Sequence, residues 1–236
     1  MATTFLIATR NAHKFGEIRA ILGGQFQFLT LNEFPGAPAV IEDAATFAGN
    51  ATKKAMALAH WISENAPSMT RPPRLDFVLA DDSGLEVDAL QGAPGVHSAR
   101  FAALDRSADG PSAGSTENSP DADNNAKLLR LLKDVPSEKR TARFRCVIAL
   151  VSLPTEKITN ASPVCYAEEP SAEIFDGTCE GRILSRPGGQ GGFGYDPLFV
   201  PDGHEKSFAE LGEDVKNRLS HRAKALEKLK RFLTEK

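Results

Sequence analysis

Val78-Leu79-Ala80-Asp81-Asp82-Ser83-Gly84-Leu85-Glu86-Val87 is the stretch around which the rest of the chain is arranged. Val78 to Ala80 reads as the end of a buried strand and Ser83-Gly84 as turn chemistry. Leu85 and Val87 alternate with Glu86 and Asp88, which is strand periodicity. Two adjacent acids are therefore expected where a strand ends and turns back. Two meanings stay open at this point: the acids cap the turn, or they form a site for a hard cation, since carboxylates on a rigid strand end suit Mg²⁺.

The totals narrow the choice. A chain of 236 residues with 41% hydrophobic content can build one domain, or two closely packed lobes, around a sizeable core. The net charge of −3 gives no overall field to draw in nucleic acid. No apolar run approaches the roughly 18 residues of a membrane helix, and Met1 to Phe5 lacks the layout of a signal peptide. Cys146, Cys165 and Cys179 form no C-x-x-C, and their odd number points to buried thiols in a reducing compartment.

Upstream, Phe5 to Ala8 is a short apolar strand followed by the polar break Thr9-Arg10-Asn11. Phe15, Ile18, Ile21 and Leu22 fall at helical spacing, with Asn11 as N-cap and Gly23-Gly24 as the stop. Arg10, His13 and Lys14 then surround a helix N-terminus, the wrong end for cations unless an anion binds there. Strand, loop, helix start and lysine make a phosphate cradle, although no Walker A pattern is present. A second helix starts after Thr46. Phe47, Ala51, Ala55, Leu58, Ala59 and Ile62 give it an apolar face, and Asn50 and Lys54 share another face, which makes Lys54 on its own a solvated lysine. Trp61 reads as core or as a contact between lobes, and residues 63–76 as a loop.

Downstream, residues 91–101 form a structured loop. Residues 103–125, rich in Ser, Asp, Asn, Gly and Ala, read as a flexible insertion without chemistry. Ala126 to Lys133 is a short helix capped by Asn124 or Asn125. Arg143 to Val151 is a strand, residues 154–164 a hairpin connection, and Tyr166 to Phe175 and Glu180 to Leu184 are further strands. Gly189, Gly191 and Gly194 satisfy G-x-G-x-x-G, but an extended segment follows them, which is wrong for a Rossmann fold. Phe193, Tyr195 and Asp196 in that loop suit a stacked base and a polar ligand edge. Ser220 caps a last helix whose stripe is Leu219, Leu226, Leu229 and Leu233. This puts His221 and Arg222 in its first turn with Lys216 upstream, and cations again stand at a helix start.

Together these pieces resemble the inosine triphosphate pyrophosphatase family. The matching motifs are Thr9-Arg10-Asn11-Ala12-His13-Lys14, Thr46-Phe47 through Lys54-Ala55, Ala80 to Gly84, Pro94 to Phe101, Gly191 to Pro197, and Ser220-His221-Arg222. They run in the family's order over nearly the whole chain. Departures are the longer connections at 63–76, 103–125 and 154–164, and Arg10, where many relatives carry glycine.

The resemblance implies an α/β fold. It is a single domain over 1–236, with an elongated mixed sheet flanked by helices in two lobes and the cleft between them. It implies a homodimer, a cytoplasmic setting, and Mg²⁺-dependent hydrolysis of non-standard purine triphosphates (ITP, dITP, XTP) to monophosphate and pyrophosphate. By position, Glu42 and Asp82 would bind Mg²⁺, with Asp82 also the catalytic base, and Lys14 and Lys54 would hold the triphosphate. Thr9 to His13, Ser83, Phe193, Gly194, Tyr195, Asp196, Lys216, His221 and Arg222 would line the substrate, with Phe193 and Tyr195 stacking on the purine. No nucleic acid and no membrane is implied. Two rivals remain: a related pyrophosphatase for modified pyrimidine triphosphates, and a non-catalytic nucleotide sensor in the same cleft.

Overall fold

The structure is a computed structural model that describes residues 2–65, 75–109, 118–153 and 171–235. Its centre is a six-stranded mixed sheet in the order β2-β1-β3-β4-β5-β6. The strands are β1 (Thr4–Ile7), β2 (Gln27–Thr30), β3 (Phe77–Val87), β4 (Thr141–Ser152), β5 (Ala172–Ile183) and β6 (Phe199–Pro201). β1 runs parallel to both β2 and β3, and β3 to β6 pair antiparallel. The helices are α1 (Ala12–Leu22), α2 (Phe47–Asn65), α3 (Asp121–Leu131), α4 (Phe208–Leu211), α5 (Glu213–Leu219) and α6 (His221–Thr234).

Alternation along the strands sorts the side chains into three cores. Val78 and Ala80 of β3 and Val147, Ala149 and Val151 of β4 pack under Ala51, Ala55, Leu58 and Ile62 of α2. On the opposite face, Leu79, Cys146, Ile148 and Leu150 meet Ile18 and Leu22 of α1 and Leu226 and Leu229 of α6. Further along the same strands, Leu85, Val87, Phe144 and Cys179 join Leu128 of α3, Phe199 and Phe208. The long strands thus run from one pair of cores to the third, and the cleft opens where they pass between. Among the described residues no helix is long and apolar enough to cross a membrane.

The expected turn at Ser83-Gly84 is absent. β3 continues through it for 11 residues, paired to β4 at every position. Gly84 is there for close approach: a Cβ would collide with Ser98 Oγ, the Gly95 carbonyl and the Phe47 ring. Within the stretch read as a flexible insertion, Ala102–Asp109 is a 3-10 helix and α3 starts at Asp121, earlier than Ala126, while residues 110–117 lie outside the described residues. Asn124 is not its cap but a buried bridge, accepting from Ala102 N at 2.8 Å and donating to Ala99 O at 3.3 Å. α2 runs on to Asn65, into the segment read as loop. β5 is one strand over Ala172–Ile183, where two were expected. The hairpin connection 154–164, the strand residues 166–170 and Cys165 lie outside the described residues.

Candidate active site

Asp81 and Asp82 are neighbours on β3 and so face opposite sides of the sheet. Asp81, 2% exposed, points toward α1 and α6. Lys14 Nζ stands 3.2 Å from its Oδ2, Arg222 donates to it from Nη2 at 2.9 Å and Nε at 3.3 Å, and Lys54 Nζ donates to its carbonyl at 2.6 Å. Burial pushes the Asp81 carboxyl up, but Lys14, Arg222 and Lys54 outweigh it and hold the group well below the usual carboxylate range. Asp81 is a permanent anion that assembles three cations.

Asp82, 6% exposed, points toward α2. Asn50 Nδ2 donates to its Oδ2 at 2.9 Å, and its Oδ1 accepts the Ser83 N–H at 3.0 Å. Burial raises its pKa to about 6. Lys54, Lys14 and the Asn50 bond pull the other way, while Glu42 adds to the rise. A buried carboxylate poised near neutrality, beside one held ionised, is the usual sign of a working group.

The N-terminal cradle forms as the sequence dictates. Asn11 caps α1, accepting from His13 N at 2.9 Å and Lys14 N at 3.1 Å. Thr9 Oγ1 accepts from Asn11 N at 3.1 Å, and Arg10 Nη2 donates to Ala37 O at 3.5 Å. Lys14, however, is not a repelled cation. Burial would lower its pKa, but Asp81 more than reverses this and raises it. Lys54 is not solvated either. It is 9% exposed, pinned on Asp81 O, with Nζ 3.1 Å from Glu42 Oε2. Glu42 sits half-buried on the loop before α2, and Arg100 Nη2 grips its carbonyl at 2.9 Å.

The opposite wall is the glycine loop. Gly192 has φ +75°, and a Cβ there would strike the Asp196 carboxylate. That carboxylate accepts the Phe193 N–H at 2.9 Å and pairs with Lys216 Nζ at 2.6 Å; burial raises its pKa and Lys216 moderates the rise. Lys216 Nζ also meets Glu17 Oε1 at 2.7 Å and lies 4.2 Å from the Phe193 ring centroid. Phe193 stacks on His13 with centroids 5.4 Å apart and planes at 15°. Tyr195 differs from expectation. At 3% exposure its ring belongs to the core, and its hydroxyl donates to Ser98 O at 2.9 Å, so it supports the wall and is not placed to stack on a base.

At the start of α6, Ser220 caps through the Ala223 N–H at 3.2 Å. His221 is not the cation expected there. It stacks on Phe144 at 4.8 Å, and burial, then Arg222 and Lys216, lower its pKa well below the usual imidazole range, so it is neutral. Arg222, 1% exposed, ties Asp81, Ser83 Oγ (2.8 Å) and Glu17 together.

Two residues of this network carry no role in the sequence reading, Glu17 and Asn50. Glu17 lies three residues after Lys14, on the same face of α1, and that spacing was the available signal. Asn50 was legible as the i,i+4 partner of Lys54, without its function.

The cleft encloses about 660 Å³, and every predicted site residue lines it except Ala12 and His13, the latter reaching it through Phe193. Among the described residues no group of three or more His, Cys, Asp or Glu could hold a metal. The pair Glu42 and Asp82 nonetheless fits Mg²⁺, which takes one or two carboxylates and fills its shell with water and phosphate oxygens. The raised pKa of Asp82, to which Glu42 contributes, marks negative charge that a cation would stabilise.

A mixed sheet with a lysine cradle on one wall, an acid pair on the floor and an aromatic glycine loop opposite defines an α/β protein built around a phosphorylated ligand. The chain belongs to the Ham1 family, whose profile matches residues 5–232. It is 45% identical to the dITP/XTP pyrophosphatase of Desulforamulus reducens, covering 97% of this chain and 94% of that one. It is 44% identical to that of Geobacter sulfurreducens, covering 98% and 96%. Among solved structures, the Coxiella burnetii HAM1 protein superposes with TM-score 0.75 at 34% identity over 99% of this chain and all of that one. The Mycobacterium abscessus dITP/XTP pyrophosphatase gives 0.64 at 34% identity over 96% and 98%.

Proposed function

We propose that this chain is a nucleoside triphosphate diphosphatase that converts dITP, XTP and ITP to the monophosphate and pyrophosphate, clearing them from the nucleotide pool. The observation that carries the reading is the environment of Asp82. It is a buried carboxylate with a pKa near 6, aimed by Asn50 and flanked by two lysines on a cleft of nucleotide size. Lys14 and Lys54 neutralise the triphosphate oxygens, and Asp81 keeps both cations in place when the site is empty. Asp82 accepts a proton from the attacking water, its carboxylate aimed by the Asn50 amide and the Ser83 N–H. Mg²⁺, held by Glu42 and Asp82, would supply charge neutralisation on the phosphates and a more acidic water. Phe193 offers its ring to the purine in place of His13, and Lys216, His221 and Arg222 line the base end.

The reading includes one domain of two lobes, a homodimeric assembly and a reducing, cytoplasmic setting. The free, buried thiols of Cys146 and Cys179 support the setting; burial pushes their pKa values up to about 12 and about 11.

Product analysis over a nucleotide panel with Mg²⁺ tests the activity. Pyrophosphate from ITP, dITP and XTP is expected, with slow turnover of ATP. Orthophosphate as first product would overturn the diphosphatase assignment. Preferred cleavage of modified pyrimidine triphosphates, or tight binding without turnover, would move the protein to a rival reading.

A further inference from the structure

The segment before α3 was the part of the sequence with no assigned chemistry, yet the first turns of α3 hold the glycine loop by its backbone. Gly194 N–H donates to Asp121 Oδ2 at 2.6 Å, and Gly194 C=O accepts from Asn125 Nδ2 at 2.9 Å. Asp121 and Asn125 are i,i+4 on α3, so one helix face presents an acceptor and a donor to both polar groups of one residue. The amide orientation of Asn125 follows from this, because the flipped form would set its oxygen against the Gly194 carbonyl. Gly194 itself takes φ +63°, and a Cβ there would meet nothing within 4 Å, so the glycine serves the turn and not a tight contact.

What this grip fixes is the residue before it. The Phe193 N–H is held by Asp196, and the next residue is held by Asp121 and Asn125, so Phe193 is fastened on both sides. Between the fastenings its ring stands against His13 and over Lys216 Nζ. Glycines at 191, 192 and 194 would otherwise let this arm sample many conformations, and ordering it would then weaken ligand binding.

We propose that Asp121 and Asn125 are positioning residues that preset Phe193 for the purine ring and so set the affinity for the base end of the substrate. The proposal rests on the nucleoside triphosphate reading above. It concerns the base end alone, the triphosphate end being assigned to Lys14 and Lys54.

The test compares Asp121→Ala, Asp121→Asn, Asn125→Ala, Phe193→Ala and the double variant Asp121→Ala/Phe193→Ala. KM and kcat are measured on ITP, and binding of inorganic tripolyphosphate by calorimetry. Asp121→Ala should raise KM for ITP about tenfold, the scale of one charge-assisted hydrogen bond, and change kcat less. Asn125→Ala should do so more weakly. Asp121→Asn keeps an acceptor for the Gly194 N–H and should restore most of the affinity. Tripolyphosphate binding should not change in either alanine variant. In the Phe193→Ala background Asp121→Ala should add little, since the ring it positions is gone. An unchanged KM in Asp121→Ala, an equal loss of tripolyphosphate binding, or an undiminished effect without Phe193 would overturn the proposal. If the wild type itself binds tripolyphosphate but does not cleave ITP, the functional reading fails instead, and the two failures are separable.

Discussion

Asn50 Nδ2 donates to Asp82 Oδ2 at 2.9 Å, and this one bond joins the first turn of α2 to the floor of the cleft. Asn50 Oδ1 accepts from Ala44 N at 2.9 Å at the same time, so the amide also ties down the loop that carries Glu42. One fully buried side chain therefore sets the relation between the two acids proposed to share a cation.

Asp82→Asn should abolish most turnover and remove the pH-dependent cost of burying this charge, while losing one hydrogen bond, because the amide oxygen can accept from only one of Asn50 Nδ2 and Ser83 N–H. The folded-state pKa stands above the ordinary 3.8, at about 6. Stability from the neutral form is thus complete below pH 3.8 and lost as pH rises through about 6. A rise of roughly two pH units corresponds to a cost on the order of 3 kcal/mol at pH 7. Thermal melts should show the variant gaining on wild type as pH rises from 4 to 7. A near-wild-type rate at saturating Mg²⁺ would remove Asp82 from the chemistry.

Glu42→Gln should shift the dependence on Mg²⁺ to higher concentration with a smaller change in the plateau rate. Lys54 loses the charge of its 3.1 Å partner but keeps the Asp81 carbonyl, so the fold should hold. An activity curve that does not move along the Mg²⁺ axis would mean that Glu42 is no ligand.

Lys14→Ala shows what the sequence could and could not say. From the helix dipole alone, removing a cation at the start of α1 should leave the apo protein unharmed or slightly more stable. With Asp81 at 3.2 Å the sign reverses, because the variant strands part of a buried carboxylate's charge. The loss should be about 2 kcal/mol, below that of a fully buried broken pair because Arg222 stays. Melts without nucleotide decide it: an unchanged or higher midpoint would restore the dipole view. Nucleotide affinity should fall in either case.

The same contrast runs through the molecule. Period and caps made α1, the start of α2, β4 and α6 legible, since these depend on local spacing. The six ordered motifs gave the cleft residues. Tertiary contacts stayed hidden. Gly84 reads as a turn until Ser98 and Phe47 are seen packed against it. Lys54 reads as solvated until Asp81 and Glu42 meet it, and Tyr195 as a stacking ring until its hydroxyl is found on Ser98. Asp121 lay in a polar stretch whose composition resembles a linker, and its bond to Gly194 spans 73 residues. Composition carries no information at that range.

The last prediction concerns how the base is chosen. Phe193 can stack on any purine, so discrimination needs directional hydrogen bonds. Arg222 can only donate, which suits the 6-keto oxygen of inosine and opposes the 6-amino group of adenine. Its Nε and both Nη2 hydrogens are taken by Asp81 and Ser83, and one Nη1 hydrogen by Glu17. That leaves a single Nη1 hydrogen for a ligand, on a guanidinium held rigidly by three partners. Arg222→Ala therefore has two effects. Loss of the ties among Asp81, Ser83 and Glu17 lowers stability and slows every substrate. Loss of the remaining donor slows ITP alone, so kcat/KM should fall further for ITP than for ATP and their ratio should narrow about tenfold or more. Glu17→Gln serves as the control, since it disturbs the same guanidinium without removing the donor. It should lower stability while keeping most of the ITP preference. Equal losses on ITP and ATP in Arg222→Ala would show that the guanidinium serves only to hold Asp81 and Glu17, and that selection lies elsewhere in the cleft.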